Sequence, residues 1–170
     1  HHLLRRQRQM CIRDRYQKGA WVLHMLRNYI GEDNFRKGIR NYYKKYYNST
    51  TTTNQFKTEM EVVSGMNLDT FFDQWLYKGG NMVLDGNWKF DEKKGRIEVN
   101  LNQVQNDGYL FEMPVELGIS YNDKNLEKIQ TVKLEKEKGR FYIASDSKPI
   151  SIKIDPNTKL LAIWDFNEIK

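Results

Sequence analysis

Between residues 68 and 80 the chain reads Leu68-Asp69-Thr70-Phe71-Phe72-Asp73-Gln74-Trp75-Leu76-Tyr77-Lys78-Gly79-Gly80. Leu68, Phe71, Phe72, Trp75 and Leu76 recur at the spacing of one helix face, Asn67 stands where a cap belongs, and the glycine pair ends the pattern. Beyond Gly80 the period drops from 3.6 to 2. Ile97, Val99 and Leu101 alternate with Glu98, Asn100 and Asn102, and Val115, Leu117, Ile119 and Tyr121 alternate with Glu116, Gly118 and Ser120. The change of period divides the chain into a helical part followed by a strand part.

Upstream, three more helices are predicted. Trp21, Val22, Met25, Leu26 and Tyr29 form one apolar stripe, with Gly31 as its C-terminal cap. A second helix starts near Glu32 or Asp33, acidic at its start and carrying Lys44 and Lys45 toward its end, as the helix dipole favours. Its buried face is read as Phe35, Ile39, Tyr42, Tyr43 and Tyr46. Thr52 and Gln55 have capping-box spacing for a third helix that buries Phe56, Met60 and Val63 and closes at Gly65. Downstream, turn signals such as Asn106-Asp107-Gly108 and Asp155-Pro156-Asn157 separate runs near Trp88, Val99, Leu117, Val132, Ile143, Ile152 and Ile163. The expected chain is therefore α+β: a four-helix all-α part, then an antiparallel β-sandwich of about seven strands.

Composition narrows the function classes. The 170 residues carry 28 Lys and Arg against 22 Asp and Glu, a net charge of +6, with one Cys and three His. One Cys can form neither an internal disulfide nor a thiolate metal cluster. The longest apolar runs fall far short of the ~18–20 residues that span a bilayer. Five of the Arg and the Cys sit in residues 1–15, His-His-Leu-Leu-Arg-Arg-Gln-Arg-Gln-Met-Cys-Ile-Arg-Asp-Arg. That segment lacks the Ser-rich composition of a transit peptide and the apolar core of a signal peptide. The run from Arg8 to Asp14 resembles the translation of a sequencing-library adaptor, so residues 1–15 are read as a non-native leader. Without them 23 cations face 21 anions and the net charge is +2, which removes most of the case for a nucleic-acid partner.

The four residues Tyr16-Gln17-Lys18-Gly19 open the first apolar helix. With Ala20 to Leu26, Gly31-Glu32-Asp33-Asn34-Phe35 and the Phe72-Asp73-Gln74-Trp75-Leu76 segment before the glycine pair, they resemble, in order, the M1 family of zinc aminopeptidases. The resemblance runs from Tyr16 to roughly Trp164; Met82 departs from it, standing where family members often have Pro. It implies residues 16–80 as the helical end of a thermolysin-like catalytic domain, 81–166 as the β-sandwich domain that follows, and 167–170 as a tail. It also implies a parent enzyme that takes peptide substrates, depends on zinc and removes N-terminal residues. Tyr16 is then the transition-state stabiliser, because a phenol that keeps its proton at neutral pH donates a hydrogen bond to the oxyanion formed at a peptide carbonyl.

The family's metal site needs H-E-x-x-H and a further Glu, and no such motif occurs here. His1 and His2 lie in the leader, and His24 falls on the polar side of its helix with Gln17 and Asn28. The Gly-x-Met-Glu-Asn segment that holds a substrate's amino terminus in the family is absent as well. The expectation is a fragment, inactive alone, whose metal ligands lie upstream; the compartment is not legible. The rival reading is a noncatalytic helical plus sandwich protein that binds another protein or a glycan. Among lesser features, Tyr42-Tyr43-Lys44-Lys45-Tyr46-Tyr47 mixes aromatics and cations as a single-strand nucleic-acid surface does, but its spacing reads as core packing. Asp69 and Asp73 share a helix face, and Asp69 is read as serving its helix's first turn. Trp75, Trp88 and Trp164 are read as packing residues.

Overall fold

The computed structural model describes residues 17–78, 80–106, 108–121 and 127–169. The chain divides into two compact units between Leu76 and Tyr77.

In the first unit α1 is described over residues 17–30, followed by α2 (Glu32–Lys45), α3 (Thr53–Ser64) and α4 (Asp69–Phe72), which winds on as a π-helical turn, Asp73–Tyr77. Gly31, at φ 88°, is the single residue between α1 and α2, a backbone state that favours glycine. Around this corner Asn34 Nδ2 donates to the Ile30 carbonyl at 2.9 Å, and Glu32 holds both Arg27 and Arg36. Thr52 and Gln55 form the predicted capping box of α3, which closes on left-handed Gly65. Asn67 Oδ1 accepts the Asp69 N–H at 2.9 Å at the start of α4.

The helices exist because their apolar stripes share one core of Val22, Met25, Leu26, Ile30, Met60, Leu68, Phe71, Phe72 and Trp75, all buried. The buried face of α2 is rotated from the one expected. Gly38 is its buried residue, and a Cβ there would stand 2.6 Å from Met60 Sδ. With Gly38 against α3, Phe35, Tyr42 and Tyr46 are half-buried, whereas Ile39 and Tyr43 turn outward at 39% and 65% exposure. Hydrophobicity marks a stripe; the point of closest helix approach sets its centre, and there the chain uses a residue with no side chain.

The second unit is a two-sheet sandwich of β1 (Met82–Asp91), β2 (Arg96–Gln103), β3 (Met113–Ser120), β4 (Glu127–Leu134), β5 (Lys138–Ala144), β6 (Ser151–Ile154) and β7 (Ala162–Glu168). One sheet has the order β5-β2-β1-β7 and the other β4-β3-β6. Each predicted run lies in its own strand. Alternation puts Ile97, Val99 and Leu101 of β2 and Met113, Val115, Leu117 and Ile119 of β3 into the core. Four strand pairs are antiparallel as expected, and the pair β1 with β7 is parallel. The reason is connectivity: β7 does not return from a neighbour in its own sheet but crosses from β6 in the other. The last strand also runs through Glu168, into residues expected as a tail.

Trp75 and Trp88 are buried; Trp164, expected to pack in a domain core or between domains, is 39% exposed and lies on β7 at the edge of the wider sheet.

Candidate functional site

Tyr16 lies outside the described residues, which begin one residue later, at the first turn of α1. Of the motif that follows it, Lys18 and Gly19 are half-buried in that turn. A helical glycine costs about 1 kcal/mol relative to alanine. Among the described residues, none beyond its own helix turn comes within 4 Å of the Cβ position of Gly19, so none of them accounts for it.

The same turn forms one wall of a groove of about 660 Å³ in the helical unit. Gly19, Ala20 and Leu23 of α1 face Phe56 of α3 and Phe72 and Leu76 of the last helix, with Thr51, Thr52 and Thr53 at the rim. The Tyr42 hydroxyl donates to Thr51 Oγ1 at 2.6 Å and its ring meets Phe56 edge-on at 5.2 Å, which ties the rim to α2 and α3. Leu23 and Leu76 are 43% and 41% exposed, so the walls are apolar and open.

The other residues singled out from the sequence fall into structural roles. His24 is half-buried, edge-on to the Trp21 ring at 5.4 Å, with Nε2 3.3 Å from Asn28 Nδ2. Asp69 is paired with Lys57 across α3 and α4; the hydrogen bonds from Lys57 and then Asn67, with the lysine's charge, hold its carboxyl below the ordinary range. A carboxylate locked in its ionised form by a lysine is a tie between helices, not half of a proton-sharing acid pair. Tyr43 and Tyr47 are solvent-exposed and meet each other at 5.5 Å, contrary to the expected burial of Tyr43. Lys45 reaches Glu59 at 2.6 Å.

No group of three or more His, Cys, Asp or Glu side chains that could hold a metal ion occurs among the described residues. The described residues do not fit a catalytic zinc.

Sequence reasoning missed residues that the tertiary structure makes important. Asp155 was read only as a turn residue. It sits at φ 50°, is buried, and its carboxylate accepts the N–H groups of Lys159 and Leu160 at 2.8 and 2.9 Å. Gln103 is buried and clasps Phe111 through both its carbonyl and its N–H, each at 2.8 Å. An Asp-Pro turn was the only signal for the first, and nothing local marks the second.

The helical unit ending at Leu76 followed by a seven-strand sandwich is an architecture with known counterparts. Residues 8–75 match the Peptidase family M1 domain, and the chain is related to the aminopeptidases of that family. The match begins inside the residues read as a leader and takes in Tyr16. Over 140 residues the chain is 31% identical to probable aminopeptidase 2 of Sulfurisphaera tokodaii, covering 82% of this chain and 17% of that protein. It is 27% identical over 101 residues to aminopeptidase N of Lactococcus lactis, covering 59% of this chain and 12% of the relative. Among solved structures, that of Legionella pneumophila aminopeptidase A in complex with aspartic acid superposes with a TM-score of 0.74 at 16% identity, over 88% of this chain and 17% of the other, which establishes a shared fold. The chain thus spans about a sixth or less of the length of these relatives.

Proposed function

We propose that this chain is the part of a zinc-dependent M1 aminopeptidase that carries the oxyanion-stabilising tyrosine, Tyr16, together with the sandwich that follows. The observation that carries the reading is the family match over residues 8–75, which contains Tyr16-Gln17-Lys18-Gly19. As negative charge builds on a peptide carbonyl oxygen, the Tyr16 phenol, un-ionised at neutral pH with an ordinary pKa of about 10, donates a hydrogen bond to it. Zinc dependence and the removal of N-terminal residues from peptides come to this chain from the family. The metal ligands are placed outside the described residues, and the chain alone is inactive. Residues 1–15 are a non-native leader, and the division at 16–80 and 81–166 separates the catalytic-domain end from the sandwich.

The test has two parts. The purified chain, dialysed and assayed with an aminoacyl chromogenic substrate, is expected to retain no zinc and release no chromophore; zinc-dependent turnover would overturn the assignment of the ligands elsewhere. In the contiguous coding sequence around Tyr16, H-E-x-x-H with a downstream Glu is expected, and its absence favours the noncatalytic binding reading. In that longer protein Tyr16→Phe should lower kcat by about 10²–10³-fold with zinc content unchanged. An unchanged kcat removes Tyr16 from the mechanism.

A further inference from the structure

Strands at sheet edges normally carry charge, proline, a bulge or sheer brevity that discourages pairing with another chain. Three of the four edges here carry cations, whereas the charges of the fourth are carboxylates alone. β5 presents Lys138 and Arg140, β4 presents Lys128 and Lys133, and β6 is four residues long with Lys153 among them. The fourth, β7, reads Ala162-Ile163-Trp164-Asp165-Phe166-Asn167-Glu168, with no Lys, Arg or Pro. Its register with β1 runs unbroken from Met82 opposite Ala162 to Trp88 opposite Glu168, so it holds no bulge. Ile163 is 65% and Trp164 39% exposed.

Side-chain rows across the sheet give the chemistry of what this edge would accept. Asn102, Asp85 and Asp165 lie in one row over β2, β1 and β7, and both carboxylates are exposed. Like charges directly opposite on neighbouring strands are unfavourable. Among the described residues neither Asp85 nor Asp165 has an ion-pair partner; Asn167 Nδ2 donates to Asp165 Oδ1 at 2.6 Å, and Glu168 is taken by Lys148 at 2.7 Å. The next position in that row lies just beyond the edge. In the adjacent row on the core face, Leu84 is buried and its neighbour Trp164 is half-covered, so a further apolar side chain beside Trp164 would complete the cover.

We propose that β7 is a docking edge for an extended segment of another polypeptide, which adds to the four-stranded sheet as a fifth strand with Lys or Arg beside Asp165 and an apolar residue against Trp164. Main-chain hydrogen bonds supply affinity in such strand addition, and alternating side chains supply specificity. A second copy of this chain fits less well, since two β7 edges would bring Asp165 and Glu168 of both copies together. The inference is independent of the aminopeptidase reading.

The test titrates the full chain against a fluorescein-labelled decapeptide of alternating Val and Lys, with a Val and Glu counterpart, by fluorescence anisotropy, and follows amide hydrogen exchange in the complex. The Val/Lys peptide is expected to bind at least about tenfold more tightly, with exchange slowed across residues 162–168. Asp165→Lys should reverse the preference. Should that variant fail to fold, Ile163→Lys places a guarding cation on the same edge and must weaken the Val/Lys peptide to a similar extent. No binding of the Val/Lys peptide, equal binding of both, binding without protection of β7, or a preference untouched by these substitutions overturns the proposal. Protection of β7 by self-association without peptide overturns it in favour of a second copy.

Discussion

Lys159 Nζ stands 2.6 Å from Glu116 Oε1 while Asn157 Nδ2 donates to Glu116 Oε2 at 2.8 Å, so one side chain of β3 grips the loop that carries the chain from β6 into β7. The same loop is held from within by Asp155, whose carboxylate accepts two of its N–H groups. Together they set the crossover that makes β7 parallel to β1.

The Glu116 carboxyl titrates below its ordinary value of 4.5: burial pulls it up, and the hydrogen bonds from Lys159 and Asn157 with the lysine's charge outweigh that. A folded-state pKa below the unfolded one contributes stability that is complete above about pH 4.5 and disappears as pH falls through the folded value. Glu116→Gln is expected to cost about 1 kcal/mol at pH 7, a figure kept small because Lys159 is partly solvated. Urea titrations of both proteins should show the gap closing in acid, and a gap that persists at pH 3 would assign the effect to packing.

Gly86 sits in the middle of β1 between β2 and β7. A Cβ there would stand 2.7 Å from the Asn100 carbonyl oxygen, 2.8 Å from Leu101 Cδ2 and 3.0 Å from Phe166 Cδ2. The first of these is backbone and cannot swing aside. Gly86→Ala should therefore destabilise the sandwich by about 2–3 kcal/mol, read as a lower midpoint in chemical denaturation.

Gly38 tests the opposite expectation for a helix. On propensity alone Gly38→Ala would stabilise α2 by about 1 kcal/mol. Contact with Met60 Sδ and with Val63 Cγ2, at 2.6 and 3.2 Å from the added carbon, should turn the sign to a net loss of about 1 kcal/mol. A rise in the melting temperature would mean that Met60 yields more readily than its full burial allows.

Thr52→Ala removes the side-chain acceptor for the Gln55 N–H and leaves the reciprocal bond from the Thr52 N–H to Gln55 Oε1 in place. A loss of about 1 kcal/mol is expected, seen in the far-ultraviolet circular dichroism melt. Thr52→Ser should restore most of it.

Local chemistry was legible wherever one residue's neighbours in sequence are also its neighbours in space. The capping box at Thr52 and Gln55, Gly65 at the end of α3, the corner at Gly31 and the seven strand runs all follow from spacing and turn residues within a few positions. What local pattern could not supply was direction and depth. Whether Tyr43 or Tyr42 faces inward depends on where α3 crosses α2, and Gly38 sets that crossing. Whether Trp164 is core or edge depends on which sheet β7 joins, and that is set by contacts from Glu116 to residues about forty positions away. Periodicity records that a side chain has an apolar face to lean on; only the folded chain, by bringing distant segments together, determines which neighbour supplies that face and which edges are left open.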